Sequence, residues 1–180
     1  MATLSIQLPS HQSVSQTNIR RWNELQADPR FARFDERVET DRFGRIIISP
    51  PPSAHHGSYQ FRIGVLLSQH LNSGRVITEC PISTADGVKA ADVAWASTAC
   101  LRELGSKPCF ERAPEICVEV VSPSNTSEEI REKSALYFDA GAKEVWHCAE
   151  SGLMSFWESI ADKPLDASRL CPDFPTQVTL

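Results

Sequence analysis

The chain has 180 residues, 41% of them hydrophobic, and a formal net charge of −5. That length suits one domain with a substantial core. No apolar run approaches the ~20 residues of a membrane span, and the acidic balance excludes a domain that holds nucleic acid by bulk electrostatics, though not a site with a local basic rim.

The first residues, MATLSIQLPSHQS, lack a basic stretch followed by a long apolar one, so a secretory signal is not expected and a cytoplasmic location is. Residues 1–16 are polar and read as a flexible arm ahead of a single domain over 17–180. A helix is predicted from Thr17 or Asn18, with Ile19, Trp22 and Leu25 at helical spacing and Asp28-Pro29 as its stop. Arg33 to Pro50 reads as a hairpin, with strands Arg37–Glu39 and Arg45–Ser49 around a turn at 40–44. Three prolines, Pro50 to Pro52, end it.

A second helix is predicted over about His56–Asn72, closed by Gly74. His55 and His56 read as helix-start residues rather than metal ligands. Strands follow at Arg75–Cys80 and Ala91–Ala96 around a turn at 85–87, then a short helix over Thr98–Leu104. The stretch PEICVEVVSP is the next strand. A loop at 122–126 leads to a helix over about Ser127–Ala140, and strands at Lys143–Cys148 and Leu153–Trp157 complete the pattern, with an irregular tail. Helices on both faces of a mixed sheet make this an α/β domain.

The six cysteines form no C-x-x-C pair, and Cys80, Cys117 and Cys148 sit in apolar runs as small buried hydrophobes. His147 reads as a core histidine, and the four tryptophans as core and edge packing. Ser122 and Ser124 have no His and acid at a spacing that suits a serine hydrolase.

Glu119 is the anomaly. In ICVEV, Ile116, Val118 and Val120 face one way, and Cys117, Glu119 and Val121 the other, so a carboxylate stands inside a strand covered on both sides. A buried charge of that kind persists only when a cation, metal or donors hold it, and perturbed buried acids cluster at functional sites. Asp92 opens the preceding strand and shares a face with Ala94 and Ala96, which leave room for a ligand. Two acids on adjacent strands suit a hard divalent cation such as Mg²⁺. Lys133 flanks the sheet-facing side of the following helix, where its ammonium can reach the acids and stabilise a charged transition state.

These features resemble the PD-(D/E)XK, or restriction-endonuclease-like, superfamily, and more closely its Uma-two family. The matching segments are RVETDRFGRI from Arg37, the prolines 50–52 with His55, KAADVA from Lys89, and most specifically Pro114 to Trp146 with VEVVSPSN and EKSALYFDAGAKEVW. The resemblance covers about residues 17–157. It implies a restriction-endonuclease-like mixed sheet flanked by helices, with an N-terminal helix and β-hairpin extension. It implies a homodimeric, Mg²⁺-dependent endonuclease (Mn²⁺ as the alternative ion) acting on nucleic acid, DNA above all. Carried over, Asp92 and Glu119 are the metal-binding acids, with the Val120 carbonyl as a further ligand. Glu39 is an additional catalytic acid from the hairpin, and Lys133 the catalytic lysine. Two positions depart from the pattern: Ala91 stands where proline is usual, and Val121 where the superfamily's strand lysine would be. A non-catalytic nucleic-acid- or protein-binding module on the same scaffold is the alternative reading.

Overall fold

The computed structural model describes residues 9–31, 36–123, 125–160 and 163–180. Its elements in chain order are α1 (His11–Ala27), β1 (Arg37–Thr40), β2 (Ile46–Ser49), α2 (Ala54–His70), β3 (Arg75–Thr84), β4 (Gly87–Ala96), α3 (Thr98–Leu104), β5 (Ile116–Val120), α4 (Ser127–Asp139), β6 (Glu144–Cys148) and β7 (Met154–Trp157). Helix α1 starts six residues before Thr17, so 11–16, expected in the arm, are helical; residues 1–8 of that arm lie outside the described residues. Asn18, expected as a cap, instead sends its amide into the β3–β4 turn, donating to Ser83 Oγ at 2.9 Å and to the Thr84 carbonyl at 2.9 Å.

Strands β3 to β7 form one sheet in sequence order, antiparallel except for β5 and β6. The parallel pair needs a crossover, and α4 supplies it. The alternation in β5 divides the core. Ile116, Val118 and Val120 pack on one face with Tyr59, Ile63 and Leu67 of α2, and with Trp146, Phe156 and Phe174. Cys117 packs on the other face with Tyr137 of α4, Val145, Ala94 and Cys100. Burial of both faces is why β5 reads as a continuous apolar run. All six cysteines are buried and free. No described helix is long and apolar enough to cross a membrane.

The hairpin β1–β2 is separate from the main sheet. Its inner face, Val38 and Ile46, packs with Trp22 and Leu25 of α1 and Val88. Its turn lies against the β3–β4 turn so closely that a Cβ on Gly87, whose φ is +82°, would fall 2.5 Å from the carbonyl oxygens of both Thr40 and Asp41. Glycine is required there by both space and backbone conformation.

Candidate active site

In a strand, residues two apart share a face. With Val38 turned toward α1, Arg37 and Glu39 turn toward β4. Glu39 Oε1 accepts from the Ala90 N–H at 2.9 Å, and the Val88 N–H donates to Thr40 Oγ1 at 2.8 Å. The hairpin is thus fastened to the start of β4, just before Asp92.

Asp92 is almost fully buried, 1% exposed. The last register pair between β4 and β5 is Val93 with Val118. One step further on, Asp92 Oδ2 accepts from the Val120 N–H at 2.7 Å. Oδ1 accepts from Arg37 Nη1 at 2.6 Å, and His56 Nε2 stands 3.3 Å from Oδ2. Gln60, one turn after His56 on α2, donates to Oδ1 at 3.4 Å and to Glu79 Oε1 at 2.6 Å. Glu79 sits in β3 with φ +48°, a left-handed conformation that costs a non-glycine residue about 1–2 kcal/mol. The β3–β4 register skips it, although Thr78 and Cys80 on either side are paired. Backbone strain of this kind gathers at functional sites.

Glu119 enters the same cleft from β5. Tyr137 Oη donates to its Oε1 at 2.6 Å, and Lys133 Nζ lies 3.3 and 3.2 Å from its two oxygens. The same ammonium is 3.3 Å from Glu39 Oε1 and donates to the Ala90 carbonyl at 3.4 Å. Arg37 bridges in parallel: its Nε is 3.6 Å from Glu39 and 3.4 Å from Glu79, and its guanidinium also donates to the Ala90 carbonyl. Four carboxylates therefore converge on two permanent cations.

These environments separate the acids. Burial works against ionisation of Glu39, but Lys133, Arg37 and the Ala90 N–H outweigh it and hold the group below its usual range. Burial likewise opposes ionisation of Asp92, while His56, Arg37 and the Val120 N–H bring it down. Glu119 goes the other way. Burial lifts it to about 7, Lys133 pulls it down only in part, and Asp92 adds repulsion. Lys133 loses charge preference to burial but gains more from Glu119 and Glu39, and stays protonated. Carboxyls driven apart in this way are a signature of acid and base roles.

Arg37, Glu39, His56, Asp92, Glu119 and Lys133 line one cleft of about 850 Å³, whose wall includes Pro50, Pro51, Pro52 and Val120. A second hollow of about 510 Å³, between α4 and the β6–β7 edge, shares Asn125 and Ile130 with it and contains none of the acids. His147 faces that hollow, with Nε2 2.9 Å from Ser134 Oγ and its ring 5.8 Å from that of Trp157.

Glu39, Asp92, Glu119, Lys133 and Val120 are thus brought together, although they lie up to 94 positions apart in the chain. Sequence reasoning missed Arg37, His56, Gln60, Glu79 and Tyr137. Arg37 was detectable as the same-face neighbour of Glu39, two residues away. His56 begins α2 as expected, where its N–H donates to Ser53 Oγ at 3.2 Å, yet its ring turns into the cleft. Glu79 had no local signal, because its role depends on a break in pairing.

Residues 22–151 match the model of the Uma2 family, whose description is "putative restriction endonuclease". That span contains every side chain of the cleft named above. No functionally curated protein matches the chain. A crystal structure described as a "putative nuclease belonging to DUF820" from Anabaena variabilis superposes with a TM-score of 0.60, covering 71% of this chain and 74% of that one at 15% identity. At that identity the likeness is one of fold, and it agrees with the mixed sheet and flanking helices described above.

Proposed function

Since the chain belongs to the Uma2 family, described as "putative restriction endonuclease", we propose that it is a metal-dependent endonuclease that hydrolyses phosphodiester bonds, in DNA before RNA. The observation that carries this reading is the meeting of Glu39, Asp92 and Glu119, from three separate segments, around the Lys133 ammonium in an open cleft.

The donor set suits a hard cation. Mg²⁺ commonly takes one or two carboxylates and completes its shell with waters and substrate phosphates. Asp92 and Glu119, with the Val120 carbonyl, are the group we assign to it, and Mn²⁺ is the alternative ion. No cluster of three His, Cys, Asp or Glu side chains among the described residues is gathered as a ready ligand set, so two acids and the main chain are the relevant donors. The Glu119 carboxyl, held near 7 by burial, is the group with most to gain from added positive charge. A divalent cation held there by Asp92, Glu119 and the Val120 carbonyl would supply that charge, with Lewis-acid polarisation of a phosphate and a more acidic water.

The chain's own residues do the rest. Lys133 offers N–H donors toward the charge that develops on the phosphoryl oxygens. Glu39 holds Lys133 in place from the hairpin side. Arg37 and Gln60 orient the Asp92 carboxylate, and Tyr137 fixes that of Glu119. A homodimer in the cytoplasm completes the proposal, and light scattering in solution measures that assembly.

Incubation of the purified protein with varied DNA and RNA, with Mg²⁺ or Mn²⁺, tests the reading. Cleavage that requires the ion and is abolished by Asp92→Asn is the expected outcome. Absence of any metal-dependent cleavage at high enzyme concentration rejects it.

One observation favours the alternative, a non-catalytic binding module. Arg37 already sits 2.6 Å from Asp92, where it compensates the acid without metal. Calorimetry separates the two readings: a nuclease site binds divalent cation and loses it in Asp92→Asn, whereas a degenerate module binds none.

A further inference from the structure

The cleft has more carboxylates than cations. A polyanionic strand approaching it meets net negative charge, on a chain that is itself at −5. Such a substrate needs a positive anchor close by but outside the acids. The tip of the β1–β2 hairpin has the required features. Phe43 is 68% exposed. The guanidinium carbons of Arg42 and Arg45 lie 5.2 and 5.0 Å from its ring centroid.

The turn does not need Phe43 for closure. Asp41 Oδ1 accepts from the N–H groups of Phe43 and Arg45 at 2.9 Å each, and its carbonyl accepts from the Gly44 N–H at 2.9 Å. The ring instead splints two like charges side by side, through cation–π attraction to each. Arg45 spends one N–H on Asp41, at 2.7 Å, in an exposed pair. The Arg42 guanidinium pairs with no carboxylate among the described residues, since only its backbone N–H reaches Asp86. Most of the ten N–H donors of the two forks therefore remain available, with a geometry that matches phosphate oxygens.

We propose that this tip is a phosphate clamp, which grips the backbone of the nucleic-acid strand entering the cleft. The inference rests on the nucleic-acid reading of that cleft. Glu39 is paired with Ile47 across the hairpin, and Phe43 lies four residues from each. At ~3.3 Å per residue the backbone of the tip is at most ~13 Å from that of Glu39, about four nucleotide steps of ~3.4 Å. Ile47, 39% exposed, lines the cleft beside Glu39 and gives an apolar surface under the strand where it reaches the acids. Contacts of this type position a strand without reading its sequence.

The test measures affinity of the full chain for a short DNA duplex without divalent cation, so that nothing is cleaved, across about 50–200 mM salt. Each phosphate neutralised contributes about 0.9 to the slope of log affinity against log salt. The double variant Arg42→Ala/Arg45→Ala is expected to bind about tenfold more weakly at the lower salt, with a slope shallower by about 2. Arg42→Lys/Arg45→Lys is expected to keep the slope. Arg102→Ala, on the exposed side of α3, is expected to change neither quantity. Equal melting midpoints for all variants certify the fold. An unchanged slope in the double alanine variant overturns the clamp, as does a wild-type chain that binds no duplex at low salt. Clamp-dependent binding without metal-dependent cleavage leaves the clamp standing and removes the nuclease reading.

Discussion

The two ends of the central sheet each bury acids, and they do so by different chemistry. At one end, β6 begins with Glu144, 1% exposed. Its carboxylate accepts from Trp146 Nε1 at 2.7 Å, Ser168 Oγ at 2.7 Å, and the Arg169 and Leu170 N–H groups at 2.8 and 2.9 Å. Beside it, Glu115 accepts from the N–H and hydroxyl of Ser97 at 2.9 and 2.6 Å. These donors are neutral, and the Glu144 donors fasten the C-terminal segment to the sheet. At the other end, Asp92 is held by Arg37 and Glu119 by Lys133, both cations also serve Glu39, and the acids face a cleft rather than a closed wall. Both ends obey the rule that buried charge must be partnered. The difference teaches that a buried acid points to a functional site when its partners are cations serving several acids at once and an open cleft reaches it.

The largest expected effect comes from breaking the structural end. In Glu144→Gln one acceptor oxygen becomes an amide that faces donors. Two or more of its four donors lose their acceptor, at roughly 1–3 kcal/mol each. The expected loss is about 3–5 kcal/mol, a fall of about 10 °C in melting midpoint for a chain of this size. Cleavage by the protein that remains folded is expected to persist. A midpoint within about 2 °C of wild type would show that the closed end is no staple.

A second, smaller effect comes from His147, one strand over from Glu119 in the parallel register. Burial lowers its pKa from 6.5 to about 4. The unfolded chain then binds a proton that the folded chain refuses as pH falls through 6.5 toward 4. Stability from the neutral imidazole is complete above 6.5 and is lost across that window, up to about 3 kcal/mol. Asp92 and Glu39, both held low, also lose stability in acid, so the comparison must be with a variant. Denaturation of wild type and His147→Gln between about pH 7 and pH 4 is expected to show a shallower acid loss in the variant. Parallel curves reject the assignment of this window to His147.

Most of the scaffold was legible from periodicity and punctuation. The two-residue alternation of β5 and the proline and glycine stops gave the order of strands and helices. The start of α1 was missed because its first turn, with His11, Gln12 and Ser13, carries no apolar residue and its Ser10 cap makes no side-chain bond. The beginning of β4 was missed because Gly87 to Ala90 is buried by the hairpin, a long-range contact without local signal. The acids at the cleft end were visible as charges in apolar runs. Glu144 bears the same signature in KEVWHC and was passed over, since its meaning lies in donors from residues 168–170, more than twenty positions away. Arg37 shows the same limit from the other side, because it is placed by contacts to β3 and β4 as well as by its own hairpin.

The smallest expected change in stability is at Glu119, and its direction is what tells the two ends apart. Glu119→Gln leaves Lys133 with Glu39 at 3.3 Å, so no cation is stranded, and Tyr137 can still donate to the amide oxygen. The native carboxyl, raised from 4.5 to about 7, favours the folded state only while protonated. Its contribution is therefore fully present below about pH 4.5 and is lost as pH rises through 7, where the folded chain must hold a charge that burial disfavours. The variant escapes that cost. It is expected to match wild type near pH 5 and to be more stable by about 1–2 kcal/mol near pH 8, as commonly happens when a buried functional acid is removed. Metal affinity and cleavage are expected to disappear with it, cleavage by at least about a hundredfold. Thermal melts at both pH values without metal, with calorimetric titration of Mn²⁺, check the pair of outcomes. If Glu119 is instead one half of a structural ion pair, with Glu39 alone too little to compensate Lys133, the same change leaves that ammonium under-paired, destabilises the chain by about 3–5 kcal/mol and leaves metal affinity unaltered. A large fall in midpoint with retained metal binding would remove Glu119 from the site and, with it, the contrast between the two ends of the sheet.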